Sequence, residues 1–211
     1  MASTTRRPSS AADRRAVLER RISSVIEDRL RRGASYTELS VGQIAHAAGI
    51  SRSTFYLYFR DKTDVLLRLS DSLRKKGYEI AASWRPTGPG GGLDGLARTY
   101  ERVLRHYRAH VAVLTAVNEV AAYDPLVHDA WLAAEDRCVD DLVTVLEEER
   151  RAGRTPTSVD PTRTARLIVH GSDQALTRQA AHGDATDDPA VATDLARTYW
   201  YGVYRRPGEG G

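Results

Sequence analysis

With 211 residues and 41% hydrophobic content, the chain has the apolar material for one or two small cores, but no apolar run long enough to cross a membrane. A lone cysteine, Cys138, excludes an internal disulfide and a cysteine-rich zinc site; with no secretory h-region, a cytoplasmic protein without a membrane partner is expected. The net charge of +3 hides an asymmetry: residues 1–62 carry twelve Lys and Arg against six Asp and Glu, and residues 63–211 carry nineteen against twenty-two. A basic amino end suits a polyanionic partner, although a solvated basic surface gives the same sum.

Residues 1–12 read as a flexible basic arm, in which Arg6 and Arg7, with Arg14 and Arg15 just beyond, either touch phosphates or are merely solvated. Leu18, Ile22, Val25, Ile26 and Leu30 then recur at helical spacing and stop at Gly33. Ser40-Val41-Gly42-Gln43 reads as a capping box opening a short helix, with Ile44, Ala45 and Ala48 on its apolar side and Gly49 where a left-handed residue ends it. Ser51 caps a second helix over 51–58, whose Phe55 and Phe59 anchor one face in a small core. Arg52, Ser53, Thr54, Tyr56 and Tyr58 are left facing outward. Such a pair is either a hairpin with a solvated polar face or a helix-turn-helix whose second member enters the DNA major groove. Asp61-Lys62-Thr63-Asp64 repeats the capping pattern, and Lys62 falls where an ammonium and a helix amino end together suit a backbone phosphate.

Val65, Leu66, Leu69 and Leu73 carry a connecting helix (63–85) toward Trp84, and RPTGPGGG (85–92) breaks it. The glycine run lacks the Gly-Lys-Ser/Thr ending of a phosphate loop, so a flexible connector is expected. Beyond it helices are predicted over 93–109, 111–122, 125–152, 161–182 and 188–205, with no period-two strand, so the fold class is all-α. Ile168, Gly171, Ala175 and Leu176, with Val191, Leu195 and Val203, form two stripes that either close the chain's own core or meet their copies in a second chain.

The segment IAHAAGISRSTFYLYFRDKTDVL (44–66) resembles the signature of TetR/AcrR-type one-component repressors. The resemblance implies a three-helix helix-turn-helix DNA-binding domain over 13–62 and a helical ligand-binding and dimerisation domain over 93–205. It also implies Arg52, Ser53, Thr54, Tyr56 and Tyr58 as DNA-facing residues, Lys62 as a backbone clamp, and Val41 as a further phosphate or base contact. Gly42 departs from the pattern, weakening its short helix by up to ~1 kcal/mol relative to alanine. Through the AHVAV turn (109–113), the isolated Trp131 and a tryptophan in the last helix, the body more weakly resembles the EthR-like branch. There a narrow, mostly apolar tunnel takes the ligand. This implies Leu96, Val103, Tyr107, Trp131, Cys138, Leu142, Val169 and Trp200 as lining, with Glu135, Ser172 and Asp173 as polar contacts; ordinary core packing is the other account of these aromatics. Glu135 departs from the pattern, and a buried carboxylate needs a partner or a shifted pKa, which would suit a partly polar or cationic ligand.

An enzyme is not expected. His106 and His110 lie four apart, but no Glu follows the first as a zincin motif requires, and Cys138 has no histidine at a diagnostic spacing. Asp140, Asp141 and Glu147 to Glu149 read as a solvated helix face. The expectation is a homodimeric repressor, without cofactor or metal, released from a palindromic double-stranded DNA operator by a small apolar or amphipathic effector. The alternative is a constitutive DNA-binding or architectural protein with no effector.

Overall fold

The computed structural model describes residues 11–204, with side chains from residue 15 onward. Of the predicted 1–12 arm, residues 1–10 with Arg6 and Arg7 lie outside the described residues, as does the Arg14 side chain, while residues 11 and 12 belong to the first helix and not to an arm. Nine α-helices and one 3-10 turn make up the described fold, in which no strand occurs. Two compact units divide the chain, residues 1–69 and 70–211, with the division falling inside the fourth helix.

The first unit starts with α1 (Ala11–Arg31), whose Ile22, Ile26 and Leu30 are buried at four-residue spacing. Gly33, at φ +88°, ends it: Ala34 N–H donates to the Arg29 carbonyl at 3.1 Å, using an acceptor the helix end would otherwise leave unpaired. α2 (Val41–Ala47) opens on the predicted capping box, with Ser40 Oγ accepting from Gln43 N–H at 3.2 Å and Gln43 Oε1 from Ser40 N–H at 2.9 Å. It closes at Gly49, φ +63°, where Ile50 N–H reaches back to the Ala45 carbonyl at 3.0 Å. Ser51 caps α3 (Arg52–Tyr56), its Oγ accepting from Thr54 N–H at 3.0 Å. Regular helix is shorter here than the predicted 51–58, but Tyr58 N–H and Phe59 N–H both donate to the Phe55 carbonyl and prolong the turn. Phe55 and Phe59, 5.4 Å apart, enter the core with Ile44, Ala45 and Ala48.

α4 (Lys62–Ala81) starts on Asp61, whose Oδ1 accepts from Asp64 N–H at 2.8 Å. The second unit takes over at Ser70 and continues with α5 (Gly92–Ala109), α6 (Val111–Ala121), α7 (Pro125–Arg151), α8 (Pro161–His182) and α9 (Asp188–Val203). Asp124 and Asp160 cap α7 and α8 directly before Pro125 and Pro161, whose missing N–H is harmless in a first turn. α5 buries Leu96, Tyr100, Val103, Leu104 and Tyr107 along one face and packs along α9, whose small Ala192 and Ala196 admit a close approach; α7 packs along α8. Arg108 forks onto Asp188 at 2.6 and 2.7 Å, tying the end of α5 to the start of α9.

The glycine-rich link differs from the flexible connector expected. Trp84 Nε1 donates to the Gly92 carbonyl at 3.1 Å, Gly91 N–H to Gly88 at 3.0 Å and Gly92 N–H to Pro86 at 3.1 Å. A Cβ at Gly95 would sit 1.8 Å from the Gly90 carbonyl oxygen, so the link packs as a formed loop against the first turn of α5.

Candidate functional site

In the amino-terminal unit the short α2 and the glycine turn present α3 with its apolar side held inward by Phe55, which leaves Arg52, Ser53 and Tyr56 exposed and Thr54 and Tyr58 half-buried. Ser51 Oγ also pairs with Ser53 Oγ and Thr54 Oγ1, each at 2.8 Å, so the hydroxyls are gathered at the helix start. Tyr56 stands edge-on to Phe55 at 5.6 Å, a packed base beneath an exposed ring. Leu57 has 78% of its surface exposed on the same turn. Sequence periodicity missed it, because an apolar residue draws no notice among outward polar ones. The ridge joins cationic, hydroxyl, phenolic and aliphatic groups, the set that addresses guanine edges, phosphates and thymine methyls. Val41 is half-buried at the start of α2.

Arg68 locks this geometry. Its guanidinium donates to Glu19 of α1 at 2.7 Å, to Asp64 at 3.3 Å and to the Tyr58 carbonyl at 3.2 Å, and it lies 4.7 Å over the Phe59 ring. Burial pushes the Asp64 carboxyl up, but the Arg60 N–H and Arg68 outweigh it and hold the group below the usual carboxylate range. Arg15, expected to reach phosphate or solvent, pairs with Glu19 at 3.0 Å and lies 5.9 Å over the Tyr58 ring. Lys62 also has inward partners: its ammonium donates to the Tyr36 and Thr37 carbonyls at 3.0 and 2.7 Å, and the Tyr36 hydroxyl donates to the Lys62 carbonyl. In the structure Lys62 therefore braces the loop between α1 and α2.

In the carboxy-terminal unit the residues expected to line one tunnel fall into separate groups. Tyr107, Trp131, Glu135 and Asp173 converge on a residue sequence reasoning passed over, Arg74 of α4, which is 1% exposed. Its guanidinium donates to Asp173 at 3.2 Å and to the Tyr78 hydroxyl, stands 3.4 Å from Glu135, and stacks 3.7 Å from the Trp131 ring centre. The Tyr107 hydroxyl donates to Asp173 at 3.4 Å, and His170 Nδ1 lies 3.0 Å from Glu135. The partner a buried carboxylate demands is thus supplied by the chain itself. Arg74 Nε has no hydrogen-bond partner.

Trp200 belongs elsewhere: its ring lies 5.0 Å from Tyr204 and edge-on to Trp84 at 6.4 Å, and Tyr199 joins the group through Trp84 at 5.6 Å. Ser172 pairs with the Tyr100 hydroxyl at 3.1 Å, while Leu96, Val103 and Val169 are buried in the helical core and Cys138 and Leu142 are half-buried. In place of an apolar lining the centre of the predicted set is an ionic cluster, because α4 inserts a cation between α7 and α8.

Burial pushes the Asp173 carboxyl from its ordinary 3.8 up to about 6; Arg74 opposes the rise and Glu135 adds to it. Burial would discharge Arg74, but Asp173 above all, with Tyr78, Tyr107 and Glu135, holds the guanidinium ionised. Burial also pushes the Cys138 thiol to about 12, which removes the thiolate a nucleophile needs. His106 Nε2 meets the Leu73 carbonyl at 2.9 Å and its ring lies 5.1 Å from His110; no group of three metal-ligating side chains occurs among the described residues. Glu149, expected on a solvated face, is buried and accepts both arms of Arg154 at 2.7 and 2.8 Å, since the loop after α7 folds back over it.

A three-helix unit with a capped, exposed reading helix, followed by a helical body, defines a helix-turn-helix transcription regulator. Residues 32–69 match the family of bacterial regulatory proteins of the tetR type, and residues 96–204 match the C-terminal domain of the transcriptional regulator EthR. The chain belongs to the TetR family, in the branch that carries the EthR-type body. It is similar to the HTH-type transcriptional regulator EthR of Mycolicibacterium smegmatis, 29% identical over 163 residues that cover 75% of this chain and 74% of that protein. In fold it is similar to Salmonella enterica GusR (TM-score 0.69, 17% identity, 90% of this chain and 97% of that one). It is likewise similar to SmeT, the repressor of the Stenotrophomonas maltophilia multidrug efflux pump SmeDEF (TM-score 0.67, 13% identity, 92% and 93%). The family consists of DNA-binding, dimerising transcriptional regulators rather than enzymes, and no helix among the described residues is long and apolar enough to cross a membrane.

Proposed function

We propose that the protein is a homodimeric repressor that places α3 of each subunit in successive major grooves of a palindromic operator and leaves it when a small effector binds the body. The exposed Arg52, Ser53 and Tyr56, flanked by half-buried Thr54 and Tyr58 on a capped, phenylalanine-anchored base, carry this proposal. Arg52 addresses a guanine edge or phosphate, Ser53 and Thr54 phosphates or bases, and Tyr56 and Tyr58 phosphates and thymine methyls; Val41 approaches the backbone at the start of α2. Lys62 adds a phosphate contact at the start of α4 beyond its bracing role.

The second subunit meets α8 and α9. Leu167 is 77% exposed one turn before the exposed Gly171, and Tyr201 is exposed on α9. Leu176 and Val203 of the predicted stripes are buried in the chain's own core, so the proposed seam lies on neighbouring faces of the same two helices. Effector binding favours a body arrangement in which α4 shifts and the two heads no longer match the half-site spacing.

A constitutive DNA binder is the second reading, favoured by one observation: Arg74 fills the middle of the predicted ligand set. Electrophoretic retardation of genomic fragments, followed by footprinting, tests the first reading. A retained fragment with a two-fold repeat, and an altered base preference for Arg52→Ala, are expected. Equal losses on operator and random DNA for that variant would refute the assignment of Arg52. Melting-temperature shifts across a ligand panel separate the two readings, since a ligand selective for the folded state must stabilise it.

A further inference from the structure

Two carboxylates, an indole and two phenols surround the Arg74 guanidinium: Asp173 and Glu135 beside it, Trp131 stacked against it at 3.7 Å, Tyr78 with its ring 5.1 Å away, and Tyr107 bonded to Asp173. That is the composition of a receptor for a flat, delocalised cation: an aromatic face for the π-system and acids at its rim for the N–H groups. The occupant fits incompletely. Arg74 is 1% exposed, yet its Nε donor has no partner, a deficit that leaves when the side chain moves to water. Two carboxylates share the one guanidinium, and Glu135 has His170 as its second partner.

We propose that this cage is the polar subsite of the effector and that its ligand is an aromatic amidinium or guanidinium, which binds by taking the place of Arg74. This rests on the effector-released repressor reading above. Anionic ligands are disfavoured because they would bring a third negative charge to Asp173 and Glu135, and an apolar ligand that expelled Arg74 would strand both carboxylates in a dry site. Only a cation exchanges one set of charge-assisted bonds for another. The exchange reaches α4 directly, because Arg74 is the α4 residue that ion-pairs with both α7 (Glu135) and α8 (Asp173), and α4 runs unbroken from Lys62 in the first unit.

The test uses the full chain with benzamidine, its neutral isostere benzamide and anionic benzoate, read by titration calorimetry and melting temperature. Benzamidine is expected to bind and stabilise while the other two do neither; Glu135→Gln is expected to weaken it about tenfold. Arg74→Ala removes the internal competitor, so benzamidine is expected to bind at least tenfold more tightly, and ethylguanidinium to restore the melting temperature of that variant. Benzamidine binding by the wild-type chain is the readout a purely structural Arg74 would not give, since a guanidinium can refill the vacated cage of Arg74→Ala in either case. Equal binding of benzamide or benzoate, no binding of benzamidine, or undiminished affinity in Glu135→Gln would overturn the proposal even if Arg74→Ala does not fold. DNA retardation by the same preparations separates the two levels. Retardation without benzamidine binding rejects the cage and leaves the repressor, whereas selective benzamidine binding without any retardation rejects the repressor and leaves the cage.

Discussion

Replacing Arg74 by methionine keeps most of the side-chain volume and removes the charge, and linkage sets how the loss depends on pH. In the native protein Asp173 has a pKa of about 6 against its ordinary 3.8. A carboxyl with a raised folded pKa favours folding most in its protonated form. Its contribution therefore falls as pH rises from about 4 to about 6 and is level above, a decline of roughly 3 kcal/mol for 2.2 pH units at 1.36 kcal/mol each. Without the guanidinium, burial and the Glu135 charge raise that pKa further, so in the variant the decline continues past pH 6. The difference between the two proteins is small at pH 5 and grows above about pH 6 for as long as the variant's carboxyl stays protonated, by at most ~1.4 kcal/mol per pH unit. Loss of stacking on Trp131 and relief of the unpartnered Nε oppose each other and carry little pH dependence.

Urea unfolding followed by tryptophan emission suits the measurement, because Trp84, Trp131 and Trp200 all lie in the carboxy-terminal unit. Protein concentration is held constant, as a dimer's stability depends on it. In an Asp173→Asn background the penalty for losing Arg74 is expected to become flat with pH. An equal penalty at pH 5 and pH 8, or a larger one at pH 5, would refute the reasoning.

Two glycine-to-alanine changes are expected to have opposite signs. At Gly42 a Cβ would meet only Ser40 Oγ at 3.8 Å and Arg52 Cδ at 3.9 Å, so α2 gains up to ~1 kcal/mol of helix propensity, read as up to about fivefold slower amide exchange in the head. At Gly95 the Cβ would collide with the Gly90 carbonyl, and an overpacking loss of about 1–3 kcal/mol outweighs the same gain, read as a lower tryptophan-detected midpoint. Lys62→Ala is expected to reduce the salt slope of DNA binding by about 1 and to destabilise the head by roughly 1 kcal/mol through its lost bonds to Tyr36 and Thr37. Unchanged amide exchange in the head would refute the bracing role. Finally, in the wild-type protein the body's midpoint is expected to fall between pH 4 and 6 and Asp173→Asn to remove that segment; a rise over the same interval would contradict the raised carboxyl.

Helix starts were legible in the sequence to within about a residue, because their signals are local, whereas two predicted ends overran: α3 stops at Tyr56 rather than 58 and α4 at Ala81 rather than 85. Ser40 with Gln43, Ser51, and Asp61 with Asp64 mark starts that need no knowledge of distant residues. Phe55 and Phe59 likewise imply which face of α3 is left outward, and a face four residues wide is set by helix geometry alone. The body was legible as helices but not as a site. Tyr107, Trp131, Glu135 and Asp173 do meet, while Trp200 turns to Trp84 and Ser172 to Tyr100.

By itself the sequence determined where helices begin, the left-handed turn at Gly49, and the polar make-up of the reading helix. Tertiary structure alone decided which charges leave water. Arg74 stands in SLRKKGY and Glu149 in EEERR, runs that look like solvated faces. Lys62 stands where a helix amino end suggests an outward cation, yet all three are drawn inward by Asp173 and Glu135, by Arg154, and by the Tyr36 and Thr37 carbonyls. Helix formation is settled over a few residues of chain, whereas the burial of a charge is settled by a partner that Arg74 finds 61 and 99 positions away.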